Sequence, residues 1–279
     1  MAAASERAAR FRGFFPRRAL IGMVHLPPLP GRAGDAAAMP HIVERACAEA
    51  RQLASAGFDA VIVENYGDAP FFPEGVPAET VAAMAVVVSR VRDAVPVRVG
   101  VNVLRNDALA GLAIAAASGA DFVRVNVLSG VYATDQGVIT GRAAEVVRYR
   151  DRLCPSVRIA ADVHVKHAVP ISHDDIRVAA ADTAYRGGAD ILIVSGPATG
   201  QPVEPRELRE TREAVPDRPL WVGSGVTPDT AAELLSVCDG LIVGTCLKRA
   251  GRTSAPLDAA AARAFVRRVR GRASGKMKP

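Results

Sequence analysis

The chain has 279 residues, a net charge of +6, a hydrophobic content of 49% and an aromatic content of only 5%. No apolar run approaches the roughly 20 residues that a transmembrane helix requires, which argues against membrane insertion. The N-terminal segment lacks the continuous apolar stretch of a secretion signal, so we expect a cytoplasmic protein. The length is compatible with a single large domain.

Much of the positive charge comes from the C-terminal segment, where Arg and Lys residues cluster. Nucleic-acid binding would require stacking aromatics among these basic residues, and the segment contains only Phe265. We therefore expect no nucleic acid as a partner and a basic, disordered tail over residues 272–279. The four cysteines form no CxxC pair, so we expect reduced core residues.

Two alternating signals mark eight strands along the chain. Four β-branched runs follow an aspartate that comes shortly after a helix end, at Asp59, Asp121, Asp190 and Asp239, and four others follow a proline. Both signals are typical of a chain that leaves a helix and enters a strand. Together they predict strands over residues 20–25, 60–65, 97–103, 122–127, 157–163, 190–195, 220–223 and 240–244.

A segment with a helical pattern follows each predicted strand. These segments are residues 40–56, 77–94, 107–118, 142–153, 174–186, 205–214, 228–236 and 257–270. Eight strand-then-helix units of short repeat length favour a single (β/α)8 TIM barrel over the alternative, an open doubly wound sheet. We expect the barrel to occupy residues 18–271, with residues 1–17 as an N-terminal extension.

Polar side chains recur at the ends of the predicted strands, on the faces that point into the barrel. Alternate residues of a barrel strand point inward, and on the fifth strand this parity selects Asp162, His164 and Lys166. An inward Arg124 requires a counter-ion, so Glu64 or Asp162 is expected beside it, in a pair that is functional or purely structural. On the first four strands the same parity selects His25, Glu64, Asn102, Arg124 and Asn126.

This concentration of polar groups predicts acid–base chemistry, because buried polar groups are costly unless they are satisfied. Glu64 or Asp162 is the expected acid or base, with His164 orienting hydroxyl groups and Lys166 stabilising negative charge. An alternative role for Lys166 is a Schiff base with a carbonyl substrate. The candidate catalytic residues are Glu64, Asp162, His164 and Lys166, and the candidate substrate-binding residues are His25, Asn102, Arg124 and Asn126.

Two glycine-containing loops after the last two strands predict a phosphate site. Loops seven and eight hold phosphate in many barrels, and Thr227 with Pro228 is expected to begin a helix whose amino end favours an anion. The alternative is that these glycines only permit turns. The candidate phosphate-binding residues are Gly223, Ser224, Gly225, Gly244 and Thr245.

The sequence predicts no metal site. It contains no HxH or HExxH arrangement, and Asp162 with His164 supplies only two ligands. A Mg²⁺ ion held through water is compatible with this set, but no cofactor is required by it.

Nine short motifs are distributed over nearly the whole chain: residues 21–31 (IGMVHLPPLPG), 64–71 (ENYGDAPF), 100–107 (GVNVLRND), 124–127 (RVNV), 135–137 (DQG), 165–168 (VKHA), 195–200 (SGPATG), 223–225 (GSG) and 244–245 (GT). Together they resemble the motifs of the BtpA family, also called the BtpA/SgcQ family, and only the two termini fall outside the resemblance. The resemblance implies a barrel of the ribulose-phosphate-binding type, in agreement with the strand count. The family name derives from a role in the biogenesis of photosystem I, whereas related members resemble enzymes of sugar metabolism.

Two functions of different class follow from the residues and the resemblance. The first is an enzyme of the isomerase, epimerase or lyase type that acts on a small phosphorylated sugar or nucleoside-like compound. The second is a non-catalytic assembly or stability factor for a membrane complex such as photosystem I. The convergent ionisable residues favour the enzyme, and a small homo-oligomer is the default expectation for it.

Overall fold

A computed structural model of the chain describes residues 13–32, 38–171, 174–196, 198 and 200–274. Eight parallel strands form a closed barrel in which β1 pairs with both β2 and β11. The predicted TIM barrel is therefore confirmed, and the open doubly wound sheet is wrong. The barrel strands are β1 (Ala19–His25), β2 (Ala60–Glu64), β3 (Arg98–Asn102), β4 (Phe122–Val125), β7 (Arg158–Asp162), β9 (Ile191–Val194), β10 (Leu220–Gly223) and β11 (Gly240–Val243).

Helices follow the barrel strands and cover the outside of the barrel. The segment predicted over 228–236 contains only the four-residue helix α7 (Ala231–Leu234), which is followed by turns in which the Ser236 hydroxyl donates a 2.6 Å hydrogen bond to the Glu233 carbonyl. The helices are α1 (Met39–Ala56), α2 (Ala78–Ala94), α3 (Ala108–Ser118), α4 (Ala143–Leu153), α5 (Ile176–Ala181, continued by a π-helical turn over Asp182–Arg186), α6 (Pro205–Ala214), α7 (Ala231–Leu234) and α8 (Ala259–Ser274).

The two predicted terminal segments fall partly outside the described residues. The N-terminal extension is described only from Gly13 onward, and residues 275–279 of the predicted tail are not described. Helix α8 continues to Ser274, so residues 272–274 are helical where a disordered tail was expected. Arg and Ala favour helix, which allows α8 to extend beyond the barrel core.

The four aspartates that precede strands in the sequence have a common structural role at the amino-terminal end of the barrel. Each accepts a backbone N–H from the preceding barrel strand and also pairs with an arginine. The acceptor distances are 2.8 Å for Asp59 with Leu20, and 2.9 Å for Asp121 with Val99, Asp190 with Ile159 and Asp239 with Leu220. The arginine partners are Arg270, Arg98, Arg150 and Arg212 respectively.

Aromatic side chains close the amino-terminal end of the barrel. Phe15 contacts Phe122 and Trp221 edge to face, with ring centroids 5.6 and 4.9 Å apart. The guanidinium of Arg98 lies 3.8 Å from the centroid of the Phe14 ring. The N-terminal segment thus extends the apolar interior and seals this end of the barrel.

A small antiparallel sheet lies at the opposite end and was not predicted. It consists of β5 (Val131–Thr134), β6 (Gly137–Thr140) and β8 (Ala168–Pro170), in segments for which the sequence predicted neither a strand nor a helix. The Tyr132 hydroxyl donates a 2.7 Å hydrogen bond to the Val163 carbonyl, and Ile139 and Val165 pack around the ring. Among the described residues no helix is both long and apolar enough to cross a bilayer.

Candidate functional site

A cavity of about 230 Å³ lies at the carboxyl ends of the barrel strands. Met23 and Ile242 supply apolar surface at its wall. The ionisable side chains that line it are His25, Glu64, Arg124 and Lys166, which come from β1, β2, β4 and the segment after β7. The loops after β10 and β11 form another part of the wall, so candidate catalytic and phosphate-binding groups share one cavity.

Arg124 is held by a buried, bidentate ion pair with Asp162. Its Nε and Nη2 lie 3.1 and 2.9 Å from the two carboxylate oxygens, and the side chains are 4% and 0% exposed. Such paired geometry offsets the cost of burying both charges. Asp162, rather than Glu64, is therefore the counter-ion that the sequence required for Arg124.

Asp162 occupies a different position from the one expected of an acid or base. Both of its oxygens bind Arg124, and Asn126 Nδ2 donates a further hydrogen bond to Oδ2 at 3.1 Å. Asn102 Nδ2 continues this network to Asn126 Oδ1 at 3.0 Å. Asp162, Asn102 and Asn126 lie behind the cavity wall, so the geometry gives them the role of positioning Arg124.

His25 and Glu64 form a buried pair at the wall of the cavity. His25 Nε2 lies 3.7 Å from Glu64 Oε1, which is too long for a hydrogen bond. Burial lowers the pKa of His25 well below its usual value, and the positive charges of Lys248 and Lys166 lower it further. His25 is accordingly neutral at neutral pH, and it leaves Glu64 as the acidic group of the cavity.

Lys166 lies beyond the end of β7, where the backbone is held by Arg105. The Nη2 of the buried Arg105 donates a 2.5 Å hydrogen bond to the Lys166 carbonyl. The alternation of inward and outward residues along a strand did not select Arg105, because Arg105 lies in the loop after β3. The presence of an arginine in the motif at residues 100–107 could have indicated it. Burial lowers the pKa of Lys166, and the Glu64 carboxylate acts in the opposite direction.

His164 does not line the cavity, in contrast to its predicted catalytic position. Its ring contacts Tyr132 of the small sheet, with centroids 6.3 Å apart, and burial lowers its pKa. The parity rule places a side chain only while a strand continues, and β7 ends at Asp162. The structure therefore separates His164 from Glu64 and Lys166.

All five candidate phosphate-binding residues line the cavity. Ser224 and Gly225 have left-handed φ angles of +113° and +63°. A Cβ atom at Gly225 would lie 2.2 Å from the Gln201 carbonyl oxygen, so only glycine fits this turn. The lining residues outside the candidate set are Met23, Gly200, Val226, Thr227, Ile242 and Cys246, of which only Thr227 had been considered, as the start of a helix.

The loop after β10 is fixed by hydrogen bonds to the loop after β9. Ser224 Oγ accepts a hydrogen bond from the Gly200 N–H at 3.2 Å and donates one to the Ala198 carbonyl at 3.1 Å. Helix α7 has only four residues, so the anion site predicted at its amino end gains little from a helix dipole. Any anion here would instead depend on the two turns and on nearby positive charge.

The described residues contain no group of three or more His, Cys, Asp or Glu side chains arranged to hold a metal ion. Asp162, which with His164 would supply two metal ligands, forms an ion pair with Arg124.

Comparison with known proteins identifies the family. The sequence pattern of the BtpA family matches residues 16–271 of the chain. The chain belongs to the BtpA family. It is 49% identical to an uncharacterised protein, TK2179, of Thermococcus kodakarensis over 252 residues, which cover 90% of this chain and 95% of that protein. It is 44% identical to the photosystem I biogenesis protein BtpA of Synechocystis over 256 residues, which cover 92% of this chain and 89% of that protein.

Solved structures with the same fold share little sequence with this member of the BtpA family. A structure described as native KDPGal has a TM-score of 0.57 and 19% identity, and covers 91% of this chain and 96% of its own. Phosphoribosyl anthranilate isomerase of Thermus thermophilus has a TM-score of 0.56 and 11% identity, and covers 91% and 98%. These likenesses establish the barrel fold.

Proposed function

We propose that the chain is an enzyme that transfers protons within a small phosphorylated substrate, in a reaction of the isomerase, epimerase or lyase type. The observation that carries this proposal is the shared cavity of about 230 Å³, which is lined by Glu64, Lys166 and both glycine-containing turns. Pockets that combine convergent ionisable groups with anion-binding backbone are typical of active sites. A scaffold protein would not require this arrangement.

The two turns after β10 and β11 support binding of a phosphate group. Gly223, Gly225 and Gly244 bring backbone to the cavity wall, and Thr245 adds a hydroxyl group. Gly244 is backed by the His25 ring, from which a Cβ atom would be 3.0 Å away. The substrate phosphate would therefore lie on the side of the cavity nearest to β1, β10 and β11.

Glu64 is the proposed acid–base residue, because it is the carboxylate at the cavity wall that is not bound to an arginine. Arg124, fixed by Asp162, and Lys166 would stabilise negative charge that develops on a substrate oxygen. The neutral His25 would hydrogen-bond a substrate hydroxyl group through Nδ1, which is buried and has no partner among the described residues. These roles together suit proton abstraction next to a carbonyl group.

Solvent deuterium exchange tests this function without knowledge of the product. Phosphorylated aldoses and ketoses of three to six carbons would be incubated with the protein in D2O, and loss of the carbon-bound proton would be followed by NMR. We expect exchange in at least one compound, and Glu64→Gln should slow it by about 10²–10⁴-fold, the usual contribution of a positioned acid or base. Glu145→Gln is the matched control, because Glu145 is a half-exposed carboxylate outside the cavity that pairs with Arg142.

A non-catalytic role in the assembly of a membrane complex is the second candidate, favoured by the name of the Synechocystis relative, a photosystem I biogenesis protein. The two functions differ in their dependence on the cavity. A folded Glu64→Gln protein that still supports assembly in a complementation experiment, with no exchange by the wild type, would favour the second candidate and overturn the enzyme proposal.

A further inference from the structure

Lysine is rare in this chain, which uses arginine for nearly all of its positive charge. Of the 35 basic residues only four are lysines, at positions 166, 248, 276 and 278, and the last two lie outside the described residues. Lys248 has a structural partner, since its Nζ lies 2.5 Å from Glu49 Oε2 in a buried ion pair. Of the two lysines that the structure describes, Lys166 is the one whose amine has no structural partner.

The amine of Lys166 is available to a ligand. Its Nζ has no hydrogen bond or ion pair with any residue in the described part of the chain, while its carbonyl is held by Arg105 at 2.5 Å. The backbone is thus fixed, and the side chain lines the cavity beside Glu64 and Arg124. Burial is the main cause that lowers the pKa of this amine, and Arg124 and Arg105 act in the same direction, whereas the carboxylates of Glu64 and Asp162 oppose it.

An anion site alone does not account for lysine at this position. Arginine binds phosphates and carboxylates through two parallel hydrogen bonds and is the basic residue that this chain uses elsewhere. Arginine cannot lose its proton in a protein, whereas a desolvated lysine becomes a nucleophile. The choice of lysine at 166 therefore indicates a function that needs a neutral amine.

We propose that Lys166 forms a Schiff base with the carbonyl carbon of a small phosphorylated aldehyde or ketone, with Glu64 as the group that carries the protons. This inference rests on the proposed function and narrows its substrate class to phosphorylated carbonyl compounds. The phosphate would bind at the turns after β10 and β11, which line the same cavity as the amine.

The covalent step balances with groups that the cavity already contains. Glu64 takes a proton from the Lys166 ammonium group, and the neutral amine then adds to the carbonyl carbon to form a carbinolamine. The C–O bond of the carbinolamine breaks, and both protons that the nitrogen loses end on the departing oxygen, which leaves as water. The product is a protonated imine with one proton on nitrogen, and it withdraws electrons from the neighbouring carbon, where Glu64 can then remove a proton.

Reductive trapping of the wild-type protein tests this step directly. Glycolaldehyde phosphate, the smallest phosphorylated aldehyde, would be added with sodium cyanoborohydride, and the modified peptide would be located by mass spectrometry. We expect one adduct on Lys166, formed about tenfold or more faster than with unphosphorylated glycolaldehyde because bound phosphate positions the carbonyl. Inorganic phosphate should suppress it.

Two variants separate Lys166 from the other lysines. Lys166→Arg keeps the charge but removes the nucleophile, so the specific adduct should disappear while inorganic phosphate still binds. The matched control is the double variant Lys276→Arg with Lys278→Arg, which should retain the Lys166 adduct at the wild-type rate. Labelling of the tail lysines alone would overturn the inference.

Calorimetric titration with inorganic phosphate distinguishes the two proposals. Phosphate binding together with a phosphate-dependent Lys166 adduct supports both. Phosphate binding and Glu64-dependent deuterium exchange without a Lys166 adduct would overturn the Schiff base and leave the proposed function standing. Absence of both phosphate binding and exchange would overturn the proposed function and, with it, this inference.

Discussion

Arg124 and Lys166 line the same cavity in opposite electrostatic situations. The positive charge of Arg124 is matched by Asp162 at hydrogen-bond distance, whereas the Lys166 amine has no such partner among the described residues. An ion pair buried on both sides contributes orientation more than stability. Asp162 thus fixes the guanidinium in place, and Glu64 and Lys166 are the groups proposed to exchange protons with a ligand.

The substitution Asp162→Asn should destabilise the fold strongly. It would leave the Arg124 charge buried without a counter-ion, which typically costs about 3–5 kcal/mol. Urea unfolding followed through the fluorescence of the single tryptophan, Trp221, measures this cost. Asp151→Asn is the control, because Asp151 is a 62% exposed carboxylate in an ion pair with Arg150, and such pairs contribute about 1 kcal/mol or less. Equal effects of the two variants would show that the buried pair does not hold Arg124 in place.

At the scale of elements, Tyr132 supplies one of the contacts that attach the small sheet of β5, β6 and β8 to the barrel. The Tyr132 hydroxyl reaches the Val163 carbonyl immediately after β7, and burial raises the pKa of this hydroxyl to about 12, which keeps it a proton donor. Val163 is followed closely by Lys166, so the same contact steadies the segment that carries the proposed nucleophile.

Tyr132→Phe should loosen this sheet without unfolding the barrel. Loss of one buried hydrogen bond costs about 1 kcal/mol or somewhat more, because the Val163 carbonyl is left without its donor. We expect faster amide hydrogen exchange in β5 and β6 and unchanged exchange in the barrel strands. Tyr149→Phe on α4 is the matched control and should leave exchange in the sheet unchanged. Uniform acceleration across the protein would contradict a local role for Tyr132.

The strands of the barrel were predictable because their signals are local, whereas the small sheet was not. Four strands are each preceded directly by an aspartate, at positions 59, 121, 190 and 239. The structure explains this pattern, because each of these aspartates accepts a backbone hydrogen bond from the preceding barrel strand. The small sheet pairs Tyr132 with Pro170, far apart in sequence, through strands of only three or four residues. No sequence periodicity reports such a pairing.

The candidate site was predictable to the extent that strand parity applied. Glu64 and Arg124 belong to regular strands, and the structure places both at the cavity wall. His164 lies after β7, where parity no longer holds, and Arg105 acts through the Lys166 backbone, which no residue pattern indicates. Whether the grouped residues act as assigned stays a prediction for the experiments above.

At the scale of the whole molecule, the two ends of the barrel differ in composition and in accessibility. Phe14 and Phe15 cover the amino-terminal end, where the four aspartates bind the strands, and the cavity lies at the carboxyl end. The aromatic seal and the candidate site thus lie at opposite ends of the barrel axis, where this fold usually keeps stability and function apart. A substitution in the aromatic seal should therefore affect stability without changing the cavity.

Phe15→Ala should lower stability while leaving the cavity at the other end intact. Phe15 is half-buried against Phe122 and Trp221, so we expect a loss of about 3 kcal/mol, at the lower end of the range for buried phenylalanine. The emission of Trp221 should shift to longer wavelength as water reaches its ring. Phe72→Ala, at a phenylalanine that is 53% exposed, is the control and should change stability by about 0.5 kcal/mol or less. Unchanged stability in Phe15→Ala would show that the N-terminal segment is not part of the core.

The aromatic seal has a kinetic consequence. Within the part of the chain that the structure describes, the aromatic rings of Phe15, Phe122 and Trp221 block the barrel axis at its amino-terminal end. The cavity is therefore reached only from the carboxyl end of the barrel. For the proposed enzyme, substrate and product would share one route, so a substrate molecule could bind only after the product has left. Slow product release would then limit the rate of turnover.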